Sequence, residues 1–291
     1  MGATSIHLDG FAIAWRNLRH KLRARRAPSP SCDHLHSSWR HLRRQTDGTL
    51  LEGSRYCEDR CLEAALFDVL DRVSSARKRS VVSHRIPLGL LLVARQQLSA
   101  ERLRTAIEAQ RSSGHGRLGE WLLSLGFVTE EQITAALARQ WSCPVLRTSS
   151  SLLRPGRTPQ IPLTLLESFG MIPVDYVAET STLHLAFSDG IDHSLLYAIE
   201  IMIHTHTTSC LAPPSFVRAN LSDFRRHRSE NEVVFKGPFD AVECSHIICS
   251  YSLRLSAVEI RLARCGPYVW VRLFQSARPP MDLLFQTDTA H

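Results

Sequence analysis

A chain of 291 residues, 44% hydrophobic and 22% charged, is long enough for two or more domains with ordinary cores, and its net charge of +7 calls for an anionic partner without naming it. No apolar run approaches the 18 or more residues that span a bilayer, and Asp9 and Arg16 bracket the short apolar patch where a signal peptide would need its core, so the expected setting is cytoplasmic. Only three lysines occur (Lys21, Lys78, Lys236), and there is no Gly-x-x-x-x-Gly-Lys-Ser/Thr loop, Gly-x-Ser-x-Gly or His-Glu-x-x-His, so the chain is expected not to be an enzyme.

Residues 1–27 read as a basic arm. Trp15–Arg26 carries five arginines and a lysine, with Leu18 and Leu22 one helical turn apart, a pattern suited to nucleic acid, an acidic partner or a membrane surface, or else to a solvated arm. Pro28–Ser31 breaks that helix and opens a segment, 28–84, in which Cys57 and Cys61 are three residues apart and Cys32 lies about 25 residues earlier. This spacing resembles a small zinc knuckle. Zinc needs four N or S ligands, so Cys32, Cys57 and Cys61 would be completed by His36 or its neighbour His34; the other reading is three unrelated thiols. The other cysteines, among them Cys143, Cys210, Cys244, Cys249 and Cys265, sit in apolar surroundings and read as small core residues.

Next comes an internal repeat over 85–140. Pro87–Gln110 and Arg117–Gln140 superpose at an offset of 30 residues, matching Leu88 with Leu118, Gly89 with Gly119, Leu92 with Leu122, Ala106 with Ala136 and Gln110 with Gln140. Ser99 and Thr129 stand where an N-cap hydroxyl belongs, and Gln132 completes a capping box with Thr129. Leu103, Ala106, Ile107 and Gln110, like Ile133, Ala136, Leu137 and Gln140, fall at i, i+3, i+4 and i+7, giving two apolar stripes that each end in a glutamine. Those glutamines either cap their own helix ends, point to water or meet a ligand.

The second copy, Arg117-Leu118-Gly119-x-x-Leu122-Leu123-x-x-Gly126 followed by Ile133, Leu137 and Gln140, resembles the repeated motif of the MshEN domain, the N-terminal part of many type II secretion and type IV pilus assembly ATPases. The resemblance implies a cyclic di-GMP site formed by arginine, the Leu-Gly backbone, the apolar positions and the glutamines. Carried onto this sequence, those are Leu88, Gly89, Leu103, Ile107 and Gln110 in the first copy and Arg117, Leu118, Gly119, Ile133, Leu137 and Gln140 in the second. A planar guanidinium suits a guanine face or a phosphate. The first copy departs from the motif twice. Pro87 replaces arginine, leaving Arg85 as its substitute, and Gln96 replaces the turn glycine, which predicts a differently closed first turn.

The resemblance extends into a small α/β subdomain over 141–228: a helix over Ile161–Ser168, strands over Met171–Tyr176 and Thr182–Phe187, a helix over His193–Ile203, a strand over Thr207–Ala212 and a helix over Ser215–Arg226. Ser188-Asp189-Gly190-Ile191-Asp192 stands where the family has an Asp-Pro-x-Asp loop, and its two aspartates read as turn formers rather than an acid/base pair. The tail, 232–291, reads as a separate αβββ unit: a helix over Phe239–Leu255 and strands over Val258–Arg264, Tyr268–Phe274 and Met281–Phe285. It resembles the start of the second domain of secretion ATPases, with Glu259 and Arg261 in place of that motif's Asp and His.

The expected fold is therefore α+β, with a tandem-motif helical subdomain, a small α/β subdomain, a zinc-knuckle-like segment before them and an αβββ unit after. Three functions fit: an adaptor that senses cyclic di-GMP and couples it to a secretion or pilus platform protein, a docking scaffold with a degenerate nucleotide site, or a zinc-dependent nucleic-acid binder.

Overall fold

Residues 5–7, 48–56, 58–75, 85–146, 158–226 and 231–287 are described by the computed structural model, in two units, Met1–Arg79 with Ser229–His291 and Ser80–Arg228. In the first unit, strand β1 (Ser5–His7) is followed by a hairpin of β2 (Thr49–Leu51) and β3 (Ser54–Tyr56). Its turn residues Glu52 and Gly53 both take positive φ, 48° and 82°, the geometry that matches strand twist in a two-residue loop. Helix α1 (Asp59–Ser75) buries Leu62, Leu66, Val69 and Leu70, one stripe at i, i+4, i+7 and i+8.

The second unit begins with the repeats: α2 (Leu88–Ala94) and α3 (Ala100–Ser113), then α4 (Leu118–Ser124) and α5 (Glu130–Gln140). Leu92, Leu98, Ala106, Leu122, Val128, Ile133 and Ala136 form their shared core. Helix α6 (Leu163–Ser168), strands β4 (Met171–Val177) and β5 (Thr182–Phe187), α7 (His193–Ile203), β6 (His206–Leu211) and α8 (Pro214–Arg226) follow, each starting within two residues of its expected position. β5 is the centre of this sheet, antiparallel to β4 and parallel to β6. Glu130, at the start of α5, accepts hydrogen bonds from the backbone N–H and hydroxyl of Ser215 at the start of α8, tying repeats to sheet.

The chain then returns to the first unit with β7 (Glu232–Lys236), α9 (Ala241–Leu255, capped by Asp240), β8 (Glu259–Cys265), β9 (Tyr268–Phe274) and β10 (Met281–Gln286). The sheet order is β1-β7-β10-β9-β8-β2-β3. This corrects the separation of 28–84 from 232–291. β2 lies parallel to β8, Thr49 donates its hydroxyl to Ala257 O at 2.9 Å, and the α1 stripe is buried with Cys244, Ile248 and Cys249 of α9 in one core. An apolar stripe as long as that of α1 cannot face water, and α9 with the sheet is what covers it. The strand β7 and the β2/β3 hairpin were not legible as elements, being three to five residues long.

Burial pushes the Cys244 thiol up to about 12 and the Cys210 and Cys249 thiols to about 11, as expected of cysteines packed as small core residues. The basic helix expected over Trp15–Arg26 and the zinc candidates Cys32, His34, His36 and Cys57 lie outside the described residues; Cys61 lies in α1 and forms no disulfide. Among the described residues no group of three or more His, Cys, Asp or Glu side chains could hold a metal ion, so nothing there supports the zinc reading. No helix among them is long and apolar enough to cross a membrane.

Candidate functional site

Each repeat is a short helix, a tight turn and a longer helix. The turn differs from expectation: Gln96 adopts φ 57°, next to 67° for Gly126, and the hydrogen bonds are the same in both copies. Gln96 N–H donates to Val93 O and Gln97 N–H to Leu92 O in the first, Gly126 N–H to Leu123 O and Phe127 N–H to Leu122 O in the second, all at 2.9–3.0 Å. The first turn therefore closes as the second does, at the cost of about 1–2 kcal/mol for a left-handed non-glycine residue. Ser99 and Thr129 cap α3 and α5 as expected, each hydroxyl accepting a backbone N–H at 3.3 Å.

The copies cross over. α2 packs on α5 and α3 on α4, so each short helix lies against the other copy's long one. Gln110 Nε2 donates to Gly116 O at 2.8 Å and Gln140 Nε2 to Ile86 O at 2.7 Å. In the repeat register residue 86 matches 116 and 110 matches 140, so the two bonds are images of one another under a pseudo-two-fold axis. Neither glutamine merely caps its own helix. Each pins the chain just ahead of the opposite copy's short helix.

The paired glycines let the backbones approach. A Cβ on Gly89 would lie 2.6 Å from Leu103 Cδ1 and 3.3 Å from Leu118 Cδ2, whereas one on Gly119 would stand 3.5 Å from Leu88 and 3.7 Å from Ile133. We expect Gly89→Ala to lower the thermal unfolding midpoint, costing about 1–3 kcal/mol as Leu103 is displaced. Gly119→Ala, with ordinary contacts and about 0.5–1 kcal/mol of helix propensity gained, should leave the midpoint unchanged or raise it. Equal midpoints would contradict this packing asymmetry. Leu88, Leu103, Leu118 and Leu137 are half-buried against the repeat core, and Ile107, also half-buried, lies one turn beyond Leu103.

The two arginines meet one loop. Arg117, the N-cap of α4, pairs through Nη1 with Asp189 Oδ2 at 2.9 Å, with side chains 69% and 54% exposed. That pair is solvated, worth about 0–1 kcal/mol, and open to exchange for a stronger anion. The Arg85 guanidinium lies 3.2 Å from the centroid of the Trp141 ring. A Cβ on Gly190 would come within 2.8 Å of that same indole, so the loop position where the family has proline is one where this chain has no room for a side chain. Asp192 accepts from Ser194 and Leu195 N–H and caps α7, as a turn former should. The structure thus brings Arg85, Arg117, the Leu-Gly pairs and both glutamines to the crossed repeats and the 188–192 loop. Sequence reasoning overlooked Trp141, although it directly follows Gln140.

A second feature lies on the other side of α5. A cavity of about 590 Å³ is lined by Arg95, Ala135, Ala138, Arg139, Ser142, Cys143 and Val145. At 100° per residue, Ala135, Ala138, Arg139 and Ser142 face away from Ile133, Leu137 and Gln140.

These features define a pseudo-symmetric two-repeat helical module set against a three-stranded sheet. No family model matches the chain, and no curated protein does. Among solved structures it is similar to MshE with cdg, at 28% identity and a TM-score of 0.41, over 48% of this chain and 99% of that one. It is also similar to the N-terminal domain of XpsE in two crystal forms, at 21% identity and TM-scores of 0.37 and 0.31, over 46% and 50% of this chain and 91% and 97% of those.

Proposed function

We propose that this chain is a regulatory or adaptor protein without catalysis of its own, whose residues 80–228 act as an MshEN-type domain that binds cyclic di-GMP and passes that state to a type II secretion or type IV pilus platform protein in the cytoplasm. The observation that carries the reading is the crossing of the repeats, which sets Arg117 and Arg85 on either side of one loop beside the Leu-Gly pairs. Cyclic di-GMP is the ligand that the motif resemblance implies. Arg117 is exposed and weakly paired, so a phosphate or guanine can take the place of Asp189 at little cost. Titration calorimetry with cyclic di-GMP tests the site: Arg117→Ala should weaken binding about tenfold to a hundredfold, the scale of a charge-assisted hydrogen bond. Undiminished binding by that variant would remove Arg117 from the site.

A second reading, a scaffold whose nucleotide site has decayed, is favoured by the internal partners already present. Arg117 has Asp189, Arg85 has Trp141, and both glutamine amides donate within the fold. No heat with cyclic di-GMP on the intact chain would select it.

A further inference from the structure

The two copies provide an internal control for each other's surfaces. α2 reads Leu-Gly-Leu-Leu-Leu-Val-Ala, with no polar side chain, while α4 reads Leu-Gly-Glu-Trp-Leu-Leu-Ser. At the outward positions of α4 stand Glu120 and Ser124; the matching positions of α2 are Leu90 and Ala94. Leu90 is 56% exposed and Ile86, one turn earlier, is 58% exposed, where the second copy has Glu120 and Gly116. A helix apolar on every side is ordinarily covered on every side. Here one side meets water, while the same fold 30 residues on solves the same position with polar residues.

Charge says what covers it. Arg95, the C-cap of α2, lies five residues and about 7.5 Å of helix rise past Leu90, and with Arg139 it walls the cavity floored by Ala135 and Ala138. Neither guanidinium has an ion pair or hydrogen bond among the described residues, although Glu131 lies on the same face of α5, four residues before Ala135. The floor is small-residued and the feature concave, which suits an inserted helix; a lipid surface asks for a convex apolar face.

We infer that the outer face of α2 and the adjoining groove, Ile86, Leu90, Arg95, Ala135, Arg139 and Val145, form a docking surface for an acidic amphipathic helix of a partner protein, whose apolar residues cover Leu90 and Ile86 and whose carboxylates meet Arg95 and Arg139. This surface lies on the face of α5 away from Gln140 and does not depend on the nucleotide reading.

Fluorescence anisotropy on the full chain tests it, using a labelled helical peptide with leucines at i, i+4 and i+7 flanked by glutamates, and the same peptide with lysines for glutamates. The acidic peptide should bind about tenfold or more tightly than the basic one, and less tightly as salt is raised. Leu90→Glu, which installs the second copy's residue, should cost about tenfold in peptide binding, and Arg95→Glu with Arg139→Glu should invert the preference between peptides. Leu90→Glu should retain the unfolding midpoint and any cyclic di-GMP binding, which separates failure here from failure of the nucleotide site. No binding, equal binding of both peptides or indifference to Leu90→Glu would overturn the inference. So would a dimer that Leu90→Glu dissociates, or Leu90-dependent binding to phosphatidylglycerol vesicles in place of peptide.

Discussion

Replacing Asp282 by alanine is expected to cost about 3–5 kcal/mol, the scale for leaving one member of a buried ion pair alone. Asp282 and Arg272 are directly opposite on β10 and β9, 3% and 8% exposed for the arginine and aspartate side chains, and joined by a fork: Arg272 Nε to Oδ1 and Nη2 to Oδ2, both at 2.7 Å. Trp270 closes the group, its indole N–H donating to Oδ1 at 2.7 Å while its ring lies 4.9 Å from the Arg272 guanidinium. Burial pushes the Asp282 carboxyl upward, and the bonds from Arg272 and Trp270 pull against that push. Three donors aimed at two oxygens leave the carboxylate as the form that satisfies them all.

The double variant separates pairing from packing. Arg272→Met with Asp282→Leu removes both charges and should recover most of what either single change loses. It should still fall short of the native chain, because the Trp270 N–H then loses its acceptor, a penalty of about 1–3 kcal/mol. Denaturant unfolding followed by tryptophan fluorescence reads all three variants. A double variant less stable than Asp282→Ala would show that the fork itself stabilises the sheet beyond merely keeping its charges paired.

This group also marks the limit of what the sequence discloses. The alternation Val269, Val271, Leu273 announces a strand and its inward face, and these residues do lie in the core with Leu283 and Phe285. The intervening Trp270 and Arg272 read as an outward face, and nothing local tells that they too are buried, because that depends on what covers the far side of the sheet. Pairing over long separations was equally hidden: β2 reaches β8 across about 200 residues, and a three-residue strand carries no periodicity to find. The repeat, by contrast, was legible nearly whole, since its caps, stripes and glycines are fixed within 25 residues of chain. What could not be read was the crossing. A glutamine at a helix end is compatible with a local cap, and only the tertiary arrangement sends Gln140 to Ile86, 54 residues back. The same holds for Gln96, where composition argued for a different turn and the surrounding copy imposed the common one.

The crossing makes a strong demand on the repeat core. Leu92 and Leu122 occupy matching positions, are fully buried, and belong to one cluster rather than to two. Each truncation to alanine should cost about 2–5 kcal/mol, the transfer of the lost methyls plus the cavity they leave. Because each copy's short helix lies on the other's long one, the two cavities would open into shared surroundings, and the double variant should cost less than the sum of the singles. Two independently folded repeats would give additive losses and two separable transitions. Crossed repeats give one transition that shifts with either leucine, and loss of the Gln110 and Gln140 bonds together, which amide exchange at the start of α2 and of α4 would report. If Leu92→Ala raised exchange in α2 and α3 alone and left α4 and α5 protected, the copies would be stabilised separately, and the convergence of Arg85 and Arg117 on one loop would need another cause than the crossing.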